Sequence, residues 1–127
     1  MRAYQAVLPD LKQVGASLVA ISPEKTDNSL TFKEKNELEF EVLTDPGNVV
    51  ARSFGLSFRV DDAAKAVFLE TFSLDLAERN GDDSWELPIP ATYVIAPDGR
   101  IEFAFVEADY TKRAEPETIL EAVQGLA

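Results

Sequence analysis

Trp85-Glu86-Leu87-Pro88-Ile89-Pro90-Ala91-Thr92-Tyr93-Val94-Ile95-Ala96-Pro97-Asp98-Gly99-Arg100-Ile101 is the stretch on which the reading of this chain turns. Residues 91–96 and 101–106 are two runs rich in β-branched and aromatic side chains, which suit a pleated, half-buried surface. Between them stands Pro97-Asp98-Gly99-Arg100. Proline presets one turn dihedral, aspartate bonds to its own backbone, and glycine takes the left-handed conformation, so the pair reads as a β-hairpin. Pro90 has no N–H to give to a ladder and belongs at a strand start or on an edge.

The rest of the chain is read outward from this hairpin. Glu115-Pro116-Glu117 opens a final helix, with proline in the first turn and acids at the positive end of the dipole. Its apolar stripe is Ile119, Leu120, Val123 and Leu126. At the other end Tyr4, Val7, Leu8, Leu11 and Val14 recur at spacings of three and four, the mark of an amphipathic helix. Pro9 should kink that helix or start a fresh turn, and Gly15 should stop it. Residues 17–22 form a short apolar run closed by Pro23, as expected of a strand buried on both faces of a parallel sheet.

A helix through about Leu38 and a strand over 40–44 follow. Asp45-Pro46-Gly47 turns the chain into a short helix bearing Val49, Val50 and Phe54, ended by Gly55. Residues 56–60 read as extended. Residues 62–76 read as one helical face (Ala64, Val67, Phe68, Phe72, Leu76), and 79–84, containing Asn80-Gly81, as a loop. This alternation predicts a single α/β domain over residues 1–127.

Composition excludes whole classes of chemistry. The chain has no cysteine and no histidine, which rules out disulfides, thiolate zinc sites, a Ser-His-Asp triad and imidazole catalysis. With 23 acidic and 12 basic residues the net charge is −11, which repels nucleic-acid backbones and anionic membranes. No apolar run is long enough to span a bilayer, and Met1-Arg2 leads into an amphipathic segment, not a signal peptide. The expectation is a cytoplasmic protein with no cofactor and no metal. Asp61-Asp62 and Asp82-Asp83 lack the spacing of a calcium loop and read as helix caps and loop solvation.

In sequence, Pro-Ile-Pro-Ala-Thr-Tyr-Val-Ile, the Pro-Asp-Gly hairpin, Ser22-Pro23-Glu24, Leu43-Thr44-Asp45-Pro46 and the closing segment 109–117 resemble a thioredoxin-like domain. More narrowly, the chain resembles the peroxiredoxin-like proteins of the alkyl hydroperoxide reductase/thiol-specific antioxidant (AhpC/TSA, redoxin) group. That resemblance implies a three-layer α/β/α sandwich and a thiol-dependent oxidoreductase or antioxidant. A full-length member would act on a peroxide or a protein disulfide. It implies that Pro90 is the family's cis-proline, and that Ile89, Pro90 and Ala91, with Trp85 beside them, bind substrate. Trp85 serves equally well as cover for the edge of the hairpin. Segment 109–113 fixes the last helix or shapes a homodimer surface. Pro90 occupies the place where typical peroxiredoxins carry an arginine.

The family's reactive thiol precedes the first helix, so the chain reads as N-terminally truncated, without its first core strand and Cys-containing turn, and without a catalytic residue. The strands around Val19 and Val94 are then expected in one sheet, flanking a vacancy about 10 Å wide. A non-catalytic module binding an extended peptide at the Ile89-Pro90 loop is the alternative.

Overall fold

The computed structural model describes residues 2–108 and 113–126. In order, the elements are α1 (Arg2–Gln13), β1 (Val19–Ser22), α2 (Thr26–Lys35), β2 (Glu41–Thr44), a 3₁₀ turn (Pro46–Asn48), α3 (Val49–Ser53), β3 (Ser57–Arg59), α4 (Asp62–Glu70), α5 (Leu76–Asn80), β4 (Glu86–Pro88), β5 (Ala91–Ile95), β6 (Ile101–Val106) and α6 (Pro116–Gln124). The chain divides into two compact units. One comprises Met1–Ala20, Asn36–Glu41 and Ile89–Ala127, the other Ile21–Lys35 and Val42–Pro88. Among the described residues no helix is long and apolar enough to cross a membrane.

The first unit is built on the hairpin. β5 and β6 are antiparallel, with Ala91 opposite Val106 and Val94 opposite Phe103, and the register shifts between Val94 and Ile95. The turn closes as its residues dictate. Gly99 takes φ +89° and its N–H donates to the Ala96 carbonyl at 2.9 Å, while Asp98 Oδ1 accepts from the Arg100 N–H at 3.0 Å. Val94, Phe103 and Phe105 pack with Ala114 and Ile119, joined by Tyr4 of α1. The Tyr4 hydroxyl donates to the Ala114 carbonyl. α1 runs unbroken through Pro9, because burial of Leu8 and Leu11 on either side outweighs the one ladder bond a proline removes. α6 starts at Pro116 and buries Ile119. Leu126 lies past its end and is exposed, so the expected stripe is one turn too long.

In the second unit β3 and β4 pair antiparallel, Ser57 opposite Pro88 and Arg59 opposite Glu86. The single helix expected over 62–76 is two helices. Ser73 takes φ +50°, and Asp75 Oδ1 accepts from the Ala77 N–H at 3.0 Å, capping α5. A competing cap thus ends one helix and begins another, and it draws Arg79 and Asn80 out of the expected loop.

The turn after β2 is built around a buried carboxylate. Asp45 accepts from the N–H groups of Val50 and Ala51, each at 3.0 Å, so it satisfies two orphan donors of α3 from outside the helix. Gly47 and Asn48 both adopt left-handed backbone to bring this about, a conformation asparagine tolerates better than most. Asp45→Ala should cost about 2 kcal/mol in urea unfolding, since it leaves two N–H groups without their charged acceptor. Asp45→Asn, which keeps one acceptor oxygen, should cost less.

The described strands pair by hydrogen bonds as β1–β2, β3–β4 and β5–β6, and β1 is not a hydrogen-bonded neighbour of β5. One strand-level expectation is corrected: β1 is not buried on both faces. Val19 and Ile21 are about half exposed, alternating with the partly covered Ala20 and Ser22. A two-stranded sheet has no inner strand, so an apolar run in it gains a ladder on one side only.

Candidate functional site

The segment from Trp85 to Ala91 crosses the division between the units, and its residues are committed to different tasks. Trp85 belongs to the second unit. Its side chain is 5% exposed and packs with Val60 and Leu76, with Ala64, Phe68, Leu74 and Leu87 around them. The Phe68 ring stacks on it at a centroid distance of 6.4 Å, and Lys65 Nζ stands 5.0 Å from the ring centre, in the range of a cation–π contact. The Trp85 carbonyl accepts from the Val60 N–H at 2.8 Å. This indole is core.

Ile89, Pro90 and Ala91 belong to the first unit, half-buried where β5 begins. The described residues contain no cis peptide bond, so Ile89-Pro90 is trans, against the expectation from the family resemblance. The reason is local. Pro90 sits just ahead of a strand, where its missing N–H breaks no ladder bond, and its carbonyl accepts from the Glu107 N–H at 3.2 Å. Trans is the favoured isomer unless other contacts hold the bond cis. Pro90→Ala should therefore cost only about 0.4–1 kcal/mol in urea unfolding, the entropy a proline removes from the unfolded chain. A larger loss would show that the ring carries tertiary contacts of its own.

Five serine hydroxyls are tied to the fold, and among the described residues no base is bonded to the other two, Ser17 and Ser73. Ser22 Oγ accepts from the Glu24 N–H at 3.1 Å, and Ser53 Oγ donates to the Val49 carbonyl at 3.1 Å. Ser29 Oγ and Thr44 Oγ1 lie 3.3 Å apart. Ser57 Oγ reaches Glu86 Oε2 at 3.4 Å, but that carboxylate oxygen is already paired with Arg52 at 2.9 Å. A serine needs a base to lose its proton, and this carboxylate oxygen already accepts from the Arg52 guanidinium.

One member of each acidic pair, Asp61 and Asp82, is engaged in local structure. Asp61 caps α4 by accepting from the Ala64 N–H at 2.7 Å, and Asp82 accepts from both the N–H and the hydroxyl of Ser84 at 3.0 Å. Among the described residues no group of three His, Cys, Asp or Glu is placed to hold a metal ion. The Asp45–Asn48 turn, read from the sequence only as a turn, carries two of the three buried polar residues among the described residues. The Asp-Pro-Gly signal showed that the chain bends there, not that the aspartate is enclosed. Of segment 109–113, residues 109–112 lie outside the described residues.

The sequence pattern of the AhpC/TSA family matches residues 1–104. A protein described as a peroxiredoxin, bcp, of Buchnera aphidicola subsp. Schizaphis graminum (strain Sg) is 40% identical over 45 residues, 35% of this chain and 28% of that protein. The matched part thus spans well under a third of the relative's length. The crystal structure of peroxidoxin BcpB from Mycobacterium tuberculosis superposes with a TM-score of 0.72 at 17% identity, over 98% of this chain and 67% of that one. That likeness shows an α/β, thioredoxin-like fold.

Proposed function

The chain belongs to the AhpC/TSA family, and from that premise we propose that residues 1–127 are the scaffold of a peroxiredoxin-like antioxidant and lack its attacking sulfur. One conjunction carries the reading: a family match over residues 1–104 in a chain with no cysteine. Peroxide reduction and disulfide exchange both begin with attack by a thiolate. Nothing else in this composition supplies an equivalent nucleophile with a base to activate it. The substrate class, a peroxide or a protein disulfide, would then belong to a polypeptide that also contains the thiol. Reading the DNA upstream of the Met1 codon tests this directly. An in-frame strand followed by a Cys-containing turn supports it, and a stop codon immediately upstream counts against it.

One observation favours a second reading, a non-catalytic module for extended peptides. The outward face of the β5–β6 hairpin carries Ala91, Tyr93, Ile95, Ile101, Ala104 and Val106 with Glu102 as its one acid, and Ile95 and Ile101 are about half exposed. A hairpin facing water usually alternates apolar with polar. Strand addition to such a sheet would use backbone bonds for affinity and this face for selectivity. Titrating an extended apolar peptide should move the amide resonances of residues 91–95 and leave those of α5 in place. Unmoved resonances at 91–95 would exclude this reading.

A further inference from the structure

We propose that Asn80 is a site of spontaneous deamidation in the folded protein. In the reaction, the Gly81 nitrogen gives up its proton and attacks Asn80 Cγ. A C–N bond forms, the Cγ–Nδ2 bond breaks, and ammonia leaves. Water then opens the resulting five-membered imide. Attack at Cγ gives aspartate, and attack at the former backbone carbonyl gives isoaspartate, which diverts the main chain through Cβ. No oxidant or reductant takes part, and water is the sole co-reactant.

The fold leaves both reacting groups available here and restrains them elsewhere. Asn80 is the last residue of α5, half-buried, and its side-chain amide has no hydrogen-bond partner among the described residues. Gly81 follows in the left-handed conformation, φ +65°, and its N–H makes no well-formed hydrogen bond. Having no side chain, glycine also lets the amide approach at little steric cost.

The other three asparagines provide internal contrasts. The Asn28 amide donates to the Arg79 carbonyl at 3.0 Å, and the Ser29 N–H that would attack it is bonded to the Lys25 carbonyl at 3.1 Å. Asn48 Nδ2 donates to the Glu86 carbonyl at 3.0 Å, and the β-branched Val49 follows it. Asn36 is engaged in contacts of its own and precedes Glu37. The remaining acid–glycine step, Asp98-Gly99, has its nitrogen bonded to Ala96 and its carboxylate bonded to the Arg100 N–H.

The product would not be neutral for the fold. A carboxylate at residue 80 puts negative charge on the C-terminal end of α5, the wrong end of the dipole, two residues from Asp82. The neighbouring Arg79 carbonyl is where the Lys25 N–H and the Asn28 amide both converge. A main chain lengthened by one carbon at residue 80 would strain that junction.

Purified protein should be incubated in mildly alkaline buffer, digested briefly at acid pH, and analysed by mass spectrometry. The peptide holding Asn80 should gain one mass unit before those holding Asn28, Asn36 or Asn48, with isoaspartate the larger product. Its native rate should fall within about tenfold of its rate in urea, because a helix end without a closing bond opens for little free energy. Asn80→Gln, whose ring closure would need six members, should remove the early mass change while leaving the melting temperature as it was. An Asn80 amide that survives the incubation, is lost no faster than at Asn28, or is lost only in urea would overturn the proposal.

Discussion

Mixed with hydrogen peroxide or an alkyl hydroperoxide and a dithiol reductant, the purified chain should consume no peroxide above the rate in buffer alone. The expectation follows from composition and geometry together. Peroxide cleavage needs a soft, ionised nucleophile at working pH, and the thiolate is the side chain that provides it. This chain has no sulfur except the thioether of Met1, and no imidazole to ionise a hydroxyl. Of the described serines, Ser22, Ser29, Ser53, Ser57 and Ser84 are held by backbone groups, by Thr44, by Asp82, or by a glutamate already paired with arginine, and no base is bonded to the hydroxyls of Ser17 and Ser73. Joining an upstream strand and a Cys-bearing turn to Met1 should bring turnover back, and replacing that one cysteine with serine should abolish it again. Catalytic consumption by the chain as it stands, surviving repeated purification, would show that the proposed division between scaffold and thiol is wrong.

Local signals were legible in the sequence and long-range choices were not. Pro-Asp-Gly fixes a turn by its own dihedrals, so β5, β6 and their turn emerge close to their observed limits. The heptad-like stripes of α1 and α6 mark those helices because apolar spacing is a property of the chain itself. β4, by contrast, is three residues long and includes a proline, so it exists only because β3 lies beside it. The break between α4 and α5 depends on whether Asp75 caps or continues, a competition that the stripe through Leu76 conceals. The partition into three two-stranded sheets is a matter of which strands meet, and no local pattern encodes that. The isomer of Ile89-Pro90 is of the same kind. Pro-Ile-Pro-Ala-Thr-Tyr-Val-Ile is compatible with either, and the trans bond prevails where nothing compels the other. For the candidate site, the sequence indicated Trp85 together with Ile89, Pro90 and Ala91, but burial separates them: an indole in one core and a strand start in the other unit.

Trp85→Ala should remove about 3–5 kcal/mol of stability, the range for deleting a large aromatic from a core. That is a substantial share of the 5–15 kcal/mol typical of a whole domain, so the variant should be partly unfolded at room temperature. The loss has identifiable parts: contact with Val60 and Leu76, the stacked Phe68 ring, and the Lys65 ammonium over the indole face. Trp85→Phe keeps a ring against Phe68 and should cost less. The backbone adds a sharper discriminator. Trp85 is held at φ +55°, a conformation that costs an ordinary L-residue about 1–2 kcal/mol and costs glycine almost nothing. Glycine is usually the worse replacement for a structured residue, yet here Trp85→Gly should be at least as stable as Trp85→Ala. Since Trp85 is the chain's single tryptophan, its fluorescence follows unfolding of the parent, and far-ultraviolet circular dichroism follows the variants. If Trp85→Ala stays within about 1 kcal/mol of the parent, as surface substitutions do, the indole is not a core residue and its place lining a substrate cleft is restored. If alanine proves clearly better than glycine, the left-handed backbone at residue 85 is wrong.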